Sequence, residues 1–168
     1  MYEPMDDSAV LEWIAEDAAV LADRSEGHGE LPVPTCPGWT IDDLLAHIGP
    51  LFAGWYLYNL THDPATGDLM AAVASAPPMP DGNSERVAYL RSGAATFVDA
   101  ASESDLDATV WAFGSTASAR ILQNRTAREV AIHRCDAEWA RDFSYHIPAE
   151  RATLSCHETI CGFWPQVQ

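Results

Sequence analysis

The sequence predicts an all-α chain, a four-helix bundle with one long connection between helices 2 and 3. Three observations carry this reading. Apolar residues recur at spacings of three and four in four separate stretches, as an amphipathic helix requires. Two of those stretches offer capping-box openings, Thr40-x-x-Asp43 and Thr126-x-x-Glu129. A proline-rich interval from about 61 to 82, with Asp63-Pro64, Ala76-Pro77-Pro78 and Met79-Pro80-Asp81-Gly82, separates the second stretch from the third. At 168 residues the chain can bury one sizeable core. We expect residues 1–145 to form the bundle and 146–168 a short C-terminal tail, with no second domain.

The first helix is expected over 7–24, with Val10, Leu11, Ile14, Ala18 and Leu21 inward and Glu12, Glu16 and Asp23 largely outward. Gly27 and Gly29 break it, and the prolines at 32, 34 and 37 demand an extended connection. The second helix begins at the Thr40 box and runs to about residue 60 through Ile41, Leu44, Leu45, Ile48, Leu51, Trp55 and Tyr58. Pro50 deprives the Ala46 carbonyl of its partner, which predicts a kink or helical irregularity beside His47. A short helical piece is expected over 69–74. The third helix spans 83–101, capped by Asn83 or Ser84, with Val87, Leu90, Ala94, Phe97 and Val98 inward. Thr109 to Gly114 reads as an extended aromatic segment packed over the bundle. The fourth helix starts between Ser118 and Thr126 and ends near Arg141, and a weakly helical segment over 149–160 precedes an aromatic end at Phe163-Trp164-Pro165.

Composition excludes several classes of function. The net charge is −16, with 25 acidic against nine basic residues, which disfavours nucleic acid phosphates and anionic membranes. All nine basic residues are Arg. Apolar runs stop short of the roughly eighteen residues of a membrane span, and the acidic start Met1-Tyr2-Glu3-Pro4-Met5-Asp6-Asp7 is unlike a signal peptide. A cytoplasmic protein is expected, and its cysteines, Cys36, Cys135, Cys156 and Cys161, should be reduced. Cys156, His157 and Cys161 match none of the usual structural zinc spacings.

Candidate chemistry gathers on the fourth helix. Glu129 and His133 are four residues apart, so on a helix they point the same way and can close on one metal ion. A helical wheel places them with Leu122, Ile132, Asp136 and Ala140, opposite Ala127, Arg134, Glu138 and Arg141. A rival reading has Glu129 folding back to cap a helix that starts at Thr126, and His133 as a satisfied core residue. In a bundle, His47 of the second helix can face both. Two His and one carboxylate with a free fourth position is the ligand set of a catalytic zinc ion. The remaining histidines singled out, His28, His62, His146 and His157, lie in loops or tails, and Trp39, Trp55 and Trp111 read as core or pocket lining.

Pro34-Thr35-Cys36-Pro37-Gly38-Trp39-Thr40-Ile41-Asp42-Asp43-Leu44-Leu45-Ala46-His47-Ile48-Gly49 and the stretch from Arg128-Glu129 to Ala137-Glu138 resemble the two signature segments of the mycothiol-dependent maleylpyruvate isomerase family. That family belongs to the DinB-like superfamily of metal-binding four-helix bundles, and the resemblance extends from the first helix to about Arg141. It implies a divalent metal, usually zinc, held by His47, Glu129 and His133. The free position would take water or the thiol of mycothiol, the low-molecular-weight thiol of actinobacteria. A metal-stabilised thiolate would then add to a small electrophile, either to isomerise it or to leave a conjugate. Asp136, one turn beyond His133, is a candidate to orient a ligand, or else caps or pairs with Arg125. Trp55 and Tyr58 are candidates to line a substrate pocket. The partners implied are the thiol and the small electrophile, with no nucleic acid and no membrane, for a monomer or homodimer. Two features depart from the family: fewer than thirty residues follow Arg141, where many members carry a second domain that helps complete the active site, and Cys135 stands where an aromatic residue is common. The alternative reading is a non-catalytic metal-binding or interaction bundle, a truncated member.

Overall fold

Val10, Ile14, Ala18 and Leu21 form a ladder that leaves each of them at most 2% exposed, and helix α1 spans Asp7–Ser25 around it. The computed structural model describes residues 7–112, 115–141, 147–157 and 159–160. Helices dominate it, as expected of an all-α chain. Helix α1 packs along two other long helices, α5 (Asn83–Ser102) and α6 (Ala119–Ala140). Between these lies the core, with Leu44, Leu45, Ile48, Phe52, Leu90, Phe97 and Leu122 all but fully buried. Each such side chain contributes on the order of 1.5–3 kcal/mol by leaving water. No helix among the described residues is long and apolar enough to cross a membrane.

The expected second helix is three pieces. Helix α2 spans Ile41–Pro50, a π-helical turn covers Leu51–Trp55, and α3 follows over Tyr56–Thr61. Thr40 caps α2 with both arms of its box: its hydroxyl accepts from the Asp43 amide and the Asp43 carboxylate accepts from the Thr40 amide. Pro50 has no N–H to give to Ala46, and the chain widens directly after it, with the Tyr56 amide reaching back five residues to the Leu51 carbonyl. The widened turn sits against close neighbours. A Cβ on Gly54 would stand 2.3 Å from the Ala76 nitrogen, and one on Gly93 would stand 2.8 Å from the Ala53 nitrogen, so both positions need glycine.

The connection to α5 holds the short helix α4, Leu69–Ala74, capped by Asp68. Helix α5 is capped by neither Asn83 nor Ser84, since its cap is Gly82 and Asn83 is its first residue. Asn83 is committed elsewhere: its amide nitrogen donates to Asp42 Oδ1 at 2.6 Å and its oxygen accepts from the Gly27 amide at 2.7 Å. Residues 109–112 form strand β1, paired antiparallel with an unforeseen strand β2, Ser115–Ser118, in the register Thr109↔Ser118 to Ala112↔Ser115. Phe113 and Gly114, the rest of the extended segment read from the sequence, lie outside the described residues. Trp111 is buried edge-on against Trp55 and Tyr58, each at 5.9 Å between ring centres.

Ser118 caps α6, accepting from the Ile121 amide. The reading of Thr126 and Glu129 as a capping box is therefore overturned. Thr126 is buried in the third turn, and its hydroxyl donates to the Leu122 carbonyl at 2.9 Å. The wheel also misjudged two faces of α6, because α1, α2, α3 and α7 (Ala149–His157) all pack on this helix. Ala127 and Glu138 are buried, whereas Ile132 keeps 43% of its surface exposed. Helix α7 is fastened to α1: Arg151 donates to Asp17 at 2.8 Å and pairs with Glu16, its guanidinium lies over Trp13, and Leu154 is buried. Cys161, His146 and Phe163 to Pro165 lie outside the described residues.

Candidate metal centre

His47 lies in the last turn of α2, just ahead of the π turn, and Glu129 and His133 lie one turn apart on α6. The structure brings all three together. One ligand atom from each lies within 4.8 Å of the other two, so all three atoms fall within about 2.8 Å of a common point. Zinc bonds to nitrogen and oxygen ligands run ~2.0–2.2 Å, so small side-chain rotations close the shell. The His47 and His133 rings meet edge-on with centres 5.0 Å apart. His133 Nε2 is 3.9 Å from Glu129 Oε2.

Each donor is held in a form that suits a cation. The Arg128 guanidinium donates to Glu129 Oε1, which leaves Oε2 facing His133. His133 donates from Nδ1 to Asp136 Oδ2 at 2.9 Å, which places the Nε2 lone pair on the Glu129 side. Asp136 thus stands behind a candidate ligand, hydrogen-bonded to the far side of its ring. Burial opposes ionisation of Asp136, but hydrogen bonds from His133 and Thr35 outweigh it and hold the carboxyl below its usual range. Burial of the His47 ring and the neighbouring His133 push the His47 pKa down, only partly offset by Glu129, so His47 favours the neutral form that binds metal. His47 as a whole remains open to solvent, with the Trp39 ring 5.4 Å from its own.

Sequence reasoning missed the loop that closes the site from the α2 side. Residues 32–40 fold back on themselves: Pro32 bridges Thr40, the Val33 amide donates to the Trp39 carbonyl at 2.9 Å, and Gly38 turns the chain at φ +88°. This hairpin-like loop delivers three side chains. Thr35 donates its hydroxyl to Asp136 Oδ1 at 2.6 Å, the Cys36 thiol lies 3.9 Å from Asp136 Oδ2, and Trp39 lies 5.4 Å from the His47 ring. Burial and the Asp136 charge raise the pKa of the Cys36 thiol. The available signal was the clustering of these residues just ahead of the α2 cap. Trp55 and Tyr58, read as pocket candidates, pack against Trp111 of strand β1. Trp55 is buried against Trp111, and Tyr58 stacks on His62 at 4.2 Å while its oxygen accepts from the Asp68 amide.

An open, mostly apolar cleft of about 270 Å³ lies between α6 and the segment from α7 to Ile160, lined by Arg128, Ile132, Ser155, Cys156, Thr159 and Ile160 and by none of the three candidate ligands. The described residues therefore supply three convergent donors and a hydrogen-bonded carboxylate behind one of them. The sequence model of the mycothiol maleylpyruvate isomerase N-terminal domain matches residues 10–138, a span that contains every residue of this cluster. No curated protein and no solved structure matches the chain.

Proposed function

Because the chain belongs to the mycothiol maleylpyruvate isomerase N-terminal domain family, we propose that it is a metal-dependent, thiol-using enzyme on a DinB-like four-helix bundle. It activates mycothiol for addition to a small electrophile, as an isomerase or an S-transferase. The observation that carries this reading is the convergence of His47, Glu129 and His133. Their donor set, two imidazoles and one carboxylate, fits a catalytic zinc ion with one position left over. Bound there, zinc would lower the pKa of a thiol and hold it as the nucleophilic thiolate near neutral pH.

The chain's own residues do the rest. Arg128 fixes the Glu129 carboxylate so that one oxygen faces the ion. Asp136 fixes the His133 ring and sets its tautomer. The solvent exposure of His47, beside the partly exposed Trp39, would leave the fourth position open to a thiol from solution. The open apolar cleft beside Arg128, the neighbour of Glu129 in sequence, would receive the electrophile. A cytoplasmic protein of actinobacterial type fits the use of this thiol.

The test is a metal and thiol panel on protein purified without a His tag. We expect near-stoichiometric divalent metal, and tight binding of mycothiol with weak binding of glutathione. Protein that holds no divalent ion under native conditions would overturn the reading. Metal retained with no thiol preference and no turnover would favour a non-catalytic bundle.

A further inference from the structure

We propose that Thr35 is a positioning residue of the metal centre, acting on the ligand His133 through Asp136. The inference rests on the metal reading above. Thr35 lies 101 residues before Asp136, on the loop ahead of α2, and its hydroxyl donates to Asp136 Oδ1 at 2.6 Å. Asp136 Oδ2 takes the His133 Nδ1 proton at 2.9 Å. Asp136 is 5% exposed, so little water reaches its carboxylate to replace either bond.

A buried carboxylate with one oxygen unpaired can rotate about its χ2 bond, because sp² end groups have broad torsional wells. With Oδ1 held by Thr35, only Oδ2 remains for the imidazole. That constraint fixes the proton at Nδ1 and the lone pair at Nε2, the atom that faces Glu129. The Thr35 hydroxyl is thus the third member of a chain from loop to carboxylate to ligand.

A purely structural role for Thr35 would show elsewhere. The loop has its own backbone ties, Val33 to Trp39 and Ile41 to Leu31, both at 2.9 Å, and neither uses the Thr35 side chain. Removing the hydroxyl should therefore disturb the metal centre more than the metal-free fold.

The experiment compares wild type, Thr35→Val and Thr35→Ser. Valine keeps the shape and loses the donor, and serine keeps the donor. Three quantities are read: Zn2+ affinity by competition with a chromophoric chelator, the thermal midpoint of metal-free protein, and the His133 tautomer by ¹⁵N NMR. We expect Thr35→Val to bind Zn2+ about tenfold more weakly, at the lower end of what partners behind a ligand contribute. Its His133 should gain the Nε2–H tautomer, and its metal-free midpoint should stay within a few degrees of wild type. Thr35→Ser should bind within about threefold of wild type. Wild-type affinity and tautomer in Thr35→Val would overturn the inference and leave the metal reading standing, as would a Thr35→Ser loss as large as that of valine. Loss of the metal-free fold in Thr35→Val would make Thr35 a latch and also overturn it. Failure of wild type itself to bind Zn2+ would overturn both.

Discussion

Replacing Glu129 by alanine separates a metal ligand from a structural glutamate. The side chain is 24% exposed, lies far from the Ser118 cap of α6, and among the contacts described bonds only to neighbouring Arg128, with His133 Nε2 3.9 Å away one turn on. A partly exposed ion pair contributes about 1 kcal/mol or less, and alanine recovers a few tenths of that as the better helix former. Metal-free Glu129→Ala should therefore unfold within about 1 kcal/mol of wild type. Zinc binding is different. Protein zinc sites with four ligands gain ~10–16 kcal/mol at neutral pH, so one ligand of three accounts for roughly 3 kcal/mol or more, a loss of 100-fold or greater. The assay is a chelator competition titration beside urea unfolding of the metal-free protein. Destabilisation above roughly 3 kcal/mol with unchanged zinc affinity would refute the assignment.

Three further outcomes follow from the same geometry. Asp17 is 1% exposed and accepts from Arg134 at 2.6 Å and Arg151 at 2.8 Å. Asp17→Ala removes the carboxylate that Arg134 and Arg151 share but leaves Glu138 and Glu16 to them, so it should cost about 1.5–3 kcal/mol and lower the thermal midpoint by roughly 3–12 °C, whereas a shift under 2 °C would contradict the clamp. His47 has a pKa lowered by burial and by His133. A lowered folded-state pKa means the unfolded chain binds the proton first, so this contribution to metal-free stability is complete above about pH 6.5 and is lost as pH falls below it. His47→Gln should flatten that acid limb in unfolding curves recorded from pH 8 to 5, and an unchanged limb would count against it. Burial, reinforced by Asp136, Glu138 and Asp17, pushes the Cys135 thiol up to about 11, while Cys156 is exposed. Iodoacetamide at pH 8 should label Cys156 quickly and leave Cys135 unmodified by peptide mass spectrometry; comparable rates would contradict this burial.

Glu129 and His133 were legible as a pair because their information is local, whereas His47 was set beside them through the expected bundle and the resemblance to the family. Glu129 and His133 are joined by helical periodicity alone, and Pro50 marks the irregularity beside His47 by the amide it lacks. The Thr40 box was legible for the same reason, since both partners lie within one turn. Thr35 was not, because its meaning depends on a carboxylate 101 residues away. Asp17 is the same case: its burial is tolerable only because Arg134 and Arg151, more than a hundred residues on, converge on it. Ile132 and Glu138 exchanged their expected places because a wheel assumes one buried side, and α6 has neighbours on several. Strand β2, Ser-Thr-Ala-Ser, carries no alternating apolar signal and is extended because β1 pairs with it.

The central claim is a metal held by His47, Glu129 and His133 with one position free for a thiol. X-ray absorption at the zinc edge, recorded on the loaded protein before and after mycothiol, tests it most directly. Before the thiol, the account predicts a shell of nitrogen and oxygen only, at ~2.0–2.2 Å, that shrinks in Glu129→Ala. After it, one sulfur should enter at ~2.3 Å. Sulfur already present without added thiol would place the metal on the chain's cysteines instead, and no sulfur at saturating mycothiol would contradict the claim that the ion activates a thiol.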